Sequence, residues 1–491
     1  MALLNDVTTA SVGTPRIAVP ERWRVRTRLS NPAIIFALVS LLFGAVVLVC
    51  TPPLRGPDEA AHFLRAFGIA QGDIVPSLAD EAGRKGVRLP ARLHRDFDFF
   101  EASRYTTRTP GFTYRQIFAA HAQRNSDPMA ADEDGPVFVL YSGSEGYSPI
   151  PYLPYVAAIL LARAVDLDFL GMLYLMRLFG LVAMTAVAAY AIAVVPRLKW
   201  PFLVIALLPS ALYSRAVLSA DGAGLAYAMA MVALALRATL AAAADRPWQH
   251  SLWMALSALS KPPQLAFILL EAMKRPLRDL PRHWASAAIV VLPGAMLSLL
   301  WAVAGSTDVA AYRLTEGMGL PAEHFDPVWK LRFMLAEPLL FPRLMANTFT
   351  DYGVQLWRQL IGVLGWLDTP LTGWVYPVLS ALLLASCLAS LELDRATGRR
   401  VALVCMLGVL GYCFAVFLIF FLVWTALDAT QVDGVQGRYF VAALPVLAVV
   451  PAALLRRGLA ARSRTVIGLA AAAISCAATI EAILRVDWNW R

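Results

Sequence analysis

Apolar and polar stretches alternate along the whole chain. A helix needs about 20 mainly apolar residues to cross a bilayer. Apolar runs near that length lie at about 32–50, 152–164, 169–195, 201–218, 220–243, 248–273, 284–304, 371–391, 401–424, 439–455 and 465–484. The pattern predicts an all-α integral membrane protein, a bundle of about 11 transmembrane helices with a large first outer loop of surface helices.

Two longer polar segments, at about 53–148 and 305–370, interrupt this pattern. The first carries charges of both signs but has too few apolar residues for a core of its own. We therefore expect its helices to pack on the membrane bundle. In the second, we place Trp357 and Trp366 on an amphipathic interfacial helix. Residues 32–491 are predicted to form a single polytopic membrane domain.

Basic residues predict the topology. Arginines cluster in the tail at residues 1–31, and cytoplasmic segments are enriched in Lys and Arg. The tail is therefore predicted to be cytoplasmic and both longer polar segments to be outside. Two arrangements fit the remaining loops. In one, 152–164 crosses fully and Ser219–Gly222 is cytoplasmic. In the other, which loop charge favours, 152–164 only dips into the outer leaflet, Pro262–Pro263 divides the run at 248–273, and Ser219–Gly222 is outside.

Composition agrees with the membrane class. The chain is 59% hydrophobic and 16% charged, with a formal net charge of +9, whereas soluble domains carry about 25% charged residues. Topology explains the basic excess, and no basic cluster with interleaved aromatics predicts nucleic-acid binding. The five cysteines lie in apolar runs without CxxC spacing, so we interpret them as packing residues.

The first polar group follows the first apolar run, in Pro52–Gln71. This stretch predicts a short amphipathic helix at the membrane surface, with Asp58 and Glu59 at the positive end of its dipole. His62 and Arg65 follow on the same face as Asp58. An ordinary helix N-terminus explains the acids equally well. A paired acid can also act as a general base or bind a divalent cation.

Three further polar groups interrupt or border later apolar runs. Charges in such places are costly unless they face a partner or a water-filled cavity. Each group also has a structural explanation: an N-cap for Asp221, snorkelling for Lys261 and interfacial anchoring for Arg438. The groups are Arg215 with Ser219-Ala220-Asp221-Gly222, Ser260-Lys261-Pro262-Pro263, and Gln436-Gly437-Arg438-Tyr439.

The favoured topology places all four groups on the outer face of the membrane. Carboxylates and cations around one cavity suit a lipid phosphate or pyrophosphate that carries a group to be displaced. The cations would hold the phosphate, Gly437 would admit its close approach, and a carboxylate would deprotonate an incoming hydroxyl. Asp58 and Glu59 are too few ligands for a dedicated metal site, so no metal ligands are predicted and a divalent cation stays an open alternative.

The same stretches resemble a known family. PPLRGPDEAAHFLRAFGIAQG (52–72) is similar to the PPDExxHFxRA signature of a domain-of-unknown-function (DUF) family of bacterial membrane proteins, which is grouped with the GT-C glycosyltransferases. SRAVLSADG (214–222), ALSKPPQ (258–264) and QGRYFVAALP (436–445) resemble the SxD, LxKPP and QGRYF segments of that family, in the same order. The resemblance covers roughly residues 33–455. It departs from the family at Gly56-Pro57, which can shift the helix register around Asp58.

The resemblance implies a GT-C-like fold in the bacterial inner (plasma) membrane, with the active site on the non-cytoplasmic face. The implied reaction is an inverting sugar transfer from a polyprenyl-phosphate donor to an envelope glycan or lipid. Asp58 would be the general base, assisted by Glu59, and Lys261 and Arg438 would contact the lipid phosphate. The expected substrate-binding residues are His62, Arg65, Arg215, Asp221, Lys261, Gln436, Arg438 and Tyr439.

Other classes of function would use the same cations. A transporter or flippase of a lipid-linked glycan would grip phosphate without chemistry. Transporters often contain paired repeats and broken helices. The sequence has a break at Pro262–Pro263 but no evident repeat, which favours the enzyme. An inactive subunit of an envelope-assembly complex is a third alternative. In each case membrane lipids are partners and nucleic acid is not.

Overall fold

The computed structural model describes residues 31–490, apart from 82, 105–112, 126–134, 242–244, 276 and 306–325. The predicted cytoplasmic tail therefore lies outside the described residues except for Asn31, and so does part of the second outer segment. The α-helices are α1 Pro32–Cys50, α2 Glu59–Ala70, α3 Ala91–Ser103, α4 Tyr114–Asn125, α5 Leu153–Ala164, α6 Phe169–Val194, α7 Lys199–Leu207, α8 Pro209–Ala216, α9 Ala220–Leu240, α10 Pro247–Ser260, α11 Glu271–Lys274, α12 Leu280–Ala304, α13 Pro327–Ala336, α14 Leu340–Gly362, α15 Val375–Ser386, α16 Arg395–Val423, α17 Leu444–Leu454 and α18 Ala461–Asp487.

Short 3-10 helices and two small two-stranded antiparallel sheets complete the described secondary structure. The 3-10 helices are Ile150–Tyr152, Pro262–Leu270, Leu277–Asp279 and Gly437–Ala443. Strand β1 (Gly86–Leu89) pairs with β2 (Val137–Leu140), with Gly86 opposite Leu140, and β3 (Val363–Leu364) pairs with β4 (Thr369–Pro370). The two sheets are minor additions to a helical protein.

Within the described residues, 7 helices are long and apolar enough to cross a membrane. This is the architecture of a helical integral membrane protein. The candidate spans are Pro32–Cys50, Phe169–Val194, Ala220–Leu240, His283–Ala304, Arg395–Val423, Gly437–Leu454 and Ala461–Asp487.

Four of the predicted runs are short or broken helices. The runs at 152–164 and 371–391 contain helices of only 12 residues. The run at 201–218 is divided between α7 and α8 at Leu208, which is extended because a proline follows it. Lys261 is extended for the same reason, and it separates α10 from the 3-10 helix that follows.

The first long polar segment, which is predicted to be outside, packs on the bundle through an aromatic core. Phe63 of α2 and Phe97 and Phe100 of α3 all contact Phe169 at the start of α6, with ring centroids 5.4 to 6.4 Å apart. The position of α2 at the membrane surface stays a prediction, but within the protein every residue from Glu59 to Gly68 is buried. Strand β1 and helix α5 pack against α2.

The placement of the two tryptophans also needs correction. Trp357 lies on α14 as predicted, but Trp366 lies in the turn between β3 and β4. Gly365 and Leu367, on either side of it, have left-handed backbone angles that form this turn, whereas α14 already ends at Gly362. The guanidinium of Arg104 lies 4.2 Å from the centroid of the Trp366 ring, so this side chain contacts the outer segment.

Candidate functional site

A buried ion pair holds the turn between α1 and α2. Arg177 of α6 donates to both carboxylate oxygens of Glu59 at 2.7 Å, and both side chains are fully buried. The same guanidinium donates to the carbonyl oxygens of Leu48, Thr51 and Pro52, where α1 ends. One side chain therefore neutralises an acid and satisfies the unpaired carbonyl groups of a helix end.

The predicted catalytic role of Glu59 does not fit this environment. Besides Arg177, its carboxylate accepts hydrogen bonds from the backbone amides of Gly56 and Leu218. An acid that is fully buried and bonded on both oxygens cannot meet a substrate hydroxyl. Glu59 stabilises the turn that positions its neighbour.

Asp58 differs from Glu59 in backbone conformation and in the exposure of its side chain. Its φ of 55° and ψ of 19° are left-handed, and its side chain does not cap α2, which begins one residue later. Aspartate tolerates this conformation better than most residues do, although at some cost in strain. The side chain is 45% exposed, and its Oδ2 accepts a 2.6 Å hydrogen bond from Nη2 of Arg438. The turn thus directs the Asp58 side chain towards Arg438, which lies 380 positions later in the sequence.

Asp221 joins two cations. Ser219, and not Asp221, supplies the N-cap of α9, because its Oγ accepts the amide of Asp221 at 3.0 Å. The Asp221 carboxylate is thereby left to contact Nζ of Lys261 at 2.7 Å and Nε of Arg438 at 3.5 Å. The charges alternate in the order Asp58, Arg438, Asp221, Lys261.

The broken helix after α10 carries Lys261 into this row of charges. The side-chain Nε2 of Gln264 donates to the carbonyl of Gly224 on α9 at 3.1 Å, and its Oε1 accepts a hydrogen bond from the hydroxyl of Ser257. A Cβ on Gly224 would lie 3.0 Å from Cγ of Lys261, so glycine allows this close approach. The Lys261 ammonium also donates to the hydroxyl of Tyr147 at 3.1 Å.

A cavity of about 1130 Å³, its open mouth included, lies beside the charges. Its polar end contains Asp221, Lys261, Arg438 and the two tyrosines Tyr147 and Tyr439. Asp58 contacts Arg438 but is not one of the residues that line the cavity. The rest of the wall is mainly apolar and includes Leu225, Leu259, Trp301, Val416, Ile419 and Phe420. A cavity with one charged end and apolar walls suits an amphiphilic ligand.

Comparison with known proteins identifies the family. The profile of the family described as "Predicted membrane protein (DUF2142)" matches residues 41–450. The chain belongs to the DUF2142 family. No curated protein and no solved structure matches it. The match covers every group in the row of charges, but the family description names no activity.

His62 lies one layer behind the cavity in this DUF2142 protein. Its Nδ1 is 2.7 Å from the hydroxyl of Tyr152, and its ring meets the ring of Tyr147 at 5.6 Å between centroids. Burial lowers its pKa from 6.5 to about 4, although the charge of Asp58 acts in the opposite direction. The imidazole is therefore neutral near pH 7, and it supports the tyrosines that surround it.

Three other residues expected to bind substrate, Arg65, Arg215 and Gln436, do not line the cavity of the DUF2142 protein. Arg65 donates to the carbonyl oxygens of Asp73, Ile74 and Tyr147. Arg215 lies over the ring of Phe36 at 5.3 Å and donates to the hydroxyl of Ser40 on α1. Each arginine thus contacts groups of the protein itself, and neither is placed to contact a ligand in the cavity.

In the QGRYF segment of the DUF2142 protein, Arg438 and Tyr439 line the cavity, whereas Gln436 and Gly437 do not. Oε1 of Gln436 is buried and has no hydrogen-bond partner among the described residues. Gly437 does not face a ligand, because a Cβ there would overlap the carbonyl oxygen of Leu356 on α14. The glycine allows α14 to approach and thereby directs Arg438 and Tyr439 into the cavity.

Sequence reasoning missed two residues of this site. Arg177 is a lone cation inside the apolar run at 169–195. A charge in such a run is costly and indicates a specific partner inside the protein. Tyr147 stands among prolines and other tyrosines at the edge of an apolar run, a pattern that indicates only an interfacial aromatic belt, yet it contacts both Lys261 and His62.

The donor set does not fit a dedicated cation site. The described residues contain no group of three or more His, Cys, Asp or Glu side chains able to hold a metal ion. The two acids of the charge row, Asp58 and Asp221, already contact cationic side chains.

Proposed function

We propose that this protein is a membrane glycosyltransferase that moves a sugar from a polyprenyl-phosphate donor to an envelope glycan or lipid on the outer face of the bacterial inner membrane. One observation carries the proposal: the half-exposed carboxylate of Asp58 contacts Arg438 at 2.6 Å, and Arg438 forms the charged end of an otherwise apolar cavity. A prenyl phosphate has the same division into an anionic head and an apolar chain.

The donor phosphate would bind at Lys261 and Arg438, and its prenyl chain would follow the apolar wall. Arginine can form two parallel hydrogen bonds to phosphate, whereas lysine contributes a compact charge. The apolar residues Val416, Ile419 and Phe420 lie on α16, one of the candidate spans. The chain of the donor could therefore leave the cavity towards the bilayer.

Binding of the donor would also change the state of Asp58. In the structure Arg438 is shared between Asp58 and Asp221, and Asp58 is the more exposed of the two acids, with 45% of its side chain exposed against 13%. A phosphate that bonds to Arg438 competes with Asp58 more easily than with Asp221. The displaced carboxylate then has a free oxygen with which to accept a proton.

The transfer needs no further reactant. Asp58 takes the proton of an acceptor hydroxyl, and the acceptor oxygen forms a bond to the anomeric carbon on the side opposite the phosphate. The bond between that carbon and the phosphate oxygen breaks, and its electron pair stays on the phosphate. Arg438 and Lys261 stabilise the charge that develops there. The sugar is transferred with inversion.

The test uses the full chain in lipid nanodiscs with a radiolabelled polyprenyl-phosphate sugar and a panel of envelope acceptors. Wild type and Asp98→Asn, which changes an exposed acid of the outer segment, should transfer the sugar. Asp58→Asn should not. Equal turnover by Asp58→Asn would remove this residue from the mechanism. Movement of the lipid across the bilayer without sugar release would favour a transporter.

A further inference from the structure

One wall of the cavity comes from a short loop of the first outer segment. Gly143, Gly146, Tyr147 and Ser148 all line the cavity. The loop is attached to the bundle at two points: the indole of Trp301 donates to the carbonyl of Gly146 at 2.9 Å, and the hydroxyl of Ser148 donates to the carbonyl of Leu259 at 2.8 Å. It is thus a fixed part of the wall, although it lies far from the spans in sequence.

Tyr147 is the member of this loop that reaches the charges. Its hydroxyl oxygen accepts a hydrogen bond from Nζ of Lys261 at 3.1 Å, and the same ammonium lies 4.9 Å from the centroid of its ring. A hydroxyl that accepts from an ammonium keeps its own proton to donate. Within the described part of the chain, no acceptor takes that proton. It is therefore available to a ligand beside Lys261.

The position of the ring is closely determined. Arg65 holds the carbonyl of Tyr147 through Nε at 3.2 Å and Nη2 at 3.1 Å. His62 packs against one side of the ring. Two residues that do not line the cavity therefore act on it through Tyr147, since they limit where its hydroxyl can point.

We propose that Tyr147 is a phosphate-contacting residue, whose hydroxyl donates to an oxygen of the prenyl phosphate held by Lys261 and Arg438. The identity of this ligand rests on the proposed function. A neutral hydroxyl can donate a hydrogen bond to the anion without changing the net charge of the row, in which two acids already balance two cations. The bond strengthens when the sugar leaves, because negative charge on the phosphate oxygens then increases.

The experiment measures binding without transfer, by isothermal titration of farnesyl phosphate into the full chain in detergent. Tyr147→Phe keeps the ring but loses the hydroxyl and its bond from Lys261, and should weaken binding about tenfold with no larger drop in melting temperature than the control variant shows. Tyr376→Phe is the matched control. Among the described residues, its hydroxyl bonds to the backbone of Gly362 and Leu371 and to no other group, so the variant should melt lower and bind as wild type does.

A double-mutant cycle separates direct contact from an effect through the lysine. If Tyr147 touches phosphate, Tyr147→Phe should cost a similar factor in the Lys261→Met background. Loss of the effect in that background would overturn the proposal, as would unchanged affinity of the single variant or failure of wild type to bind farnesyl phosphate. If binding depends on Tyr147 but the protein transfers no sugar, the proposed glycosyltransferase activity is refuted and the Tyr147–phosphate contact stands.

Discussion

Replacing Asp58 by Asn should strengthen phosphate binding while it abolishes transfer. In the structure Asp58 accepts a hydrogen bond from Nη2 of Arg438, so the protein's own carboxylate would compete with the proposed phosphate ligand for the same guanidinium. Asparagine has nearly the same shape but no charge, and it therefore competes less. Opposite effects on binding and on turnover are the signature of an acid that is displaced by the donor and then acts as the base.

The size of the effect follows from the geometry. A 2.6 Å bond between charged groups is strong, but the Asp58 side chain is 45% exposed and solvent screens the pair. Exposed ion pairs contribute about 0.2 to 1 kcal/mol. Taking the upper end, about 1 kcal/mol, the affinity for prenyl phosphate should rise about fivefold. Loss of a general base lowers turnover by about 10² to 10⁴.

The assay is titration of farnesyl phosphate into wild type, Asp58→Asn and Asp98→Asn, with transfer rates measured on the same preparations. Asp98→Asn removes the same charge from the outer segment without touching Arg438, so it controls for net charge. The gain for Asp58→Asn should shrink as salt is raised, because salt screens exposed pairs. Equal or weaker binding by Asp58→Asn at low salt would refute the reasoning.

Three further predictions concern the scaffold. Arg177→Met strands the fully buried charge of Glu59 and should cost about 3–5 kcal/mol, seen as a lower melting temperature. Adding Glu59→Leu should recover much of the loss. Because the pKa of His62 is lowered to about 4, the unfolded chain binds a proton there first. Stability should therefore fall as the pH drops from 6.5 towards 4, by about 3 kcal/mol at most, and His62→Asn should melt with less pH dependence. Gly437→Ala should lower the melting temperature, since its Cβ meets the backbone of Leu356.

Each of these has a contradicting result. An Arg177→Met variant as stable as wild type would mean that the ion pair does not hold the turn. The same pH dependence in wild type and His62→Asn would place the titrating group elsewhere. A Gly437→Ala variant that melts with wild type would show that α14 can move away without cost.

Much of the membrane architecture could be predicted from local sequence. The run at 32–50 coincides with α1, because an uncharged segment of that length has one favourable state in a bilayer. The argument from the cost of buried charge selected Asp221, Lys261 and Arg438, and these residues are in contact. Prolines also located the break after Lys261, since the residue before a proline is pushed out of the helical conformation.

The distinct environments of Asp58 and Glu59 could not be predicted in this way. The two acids are adjacent, and local pattern makes them equivalent. Only the left-handed backbone at residue 58 separates them, and it sends one side chain to Arg438 and the other to Arg177. Those partners lie 380 and 118 positions along the chain, so the choice depends on how distant helices pack.

The contacts of Arg177 impose an order on biogenesis. The ribosome releases α1 and the turn after it well before α6, and the guanidinium lies 118 positions beyond Glu59. Until α6 enters the bilayer, the last carbonyl groups of α1 and the carboxylate of Glu59 must rely on water or lipid headgroups. A nascent chain that ends before α6 therefore has its first membrane anchor but not the turn that aims Asp58.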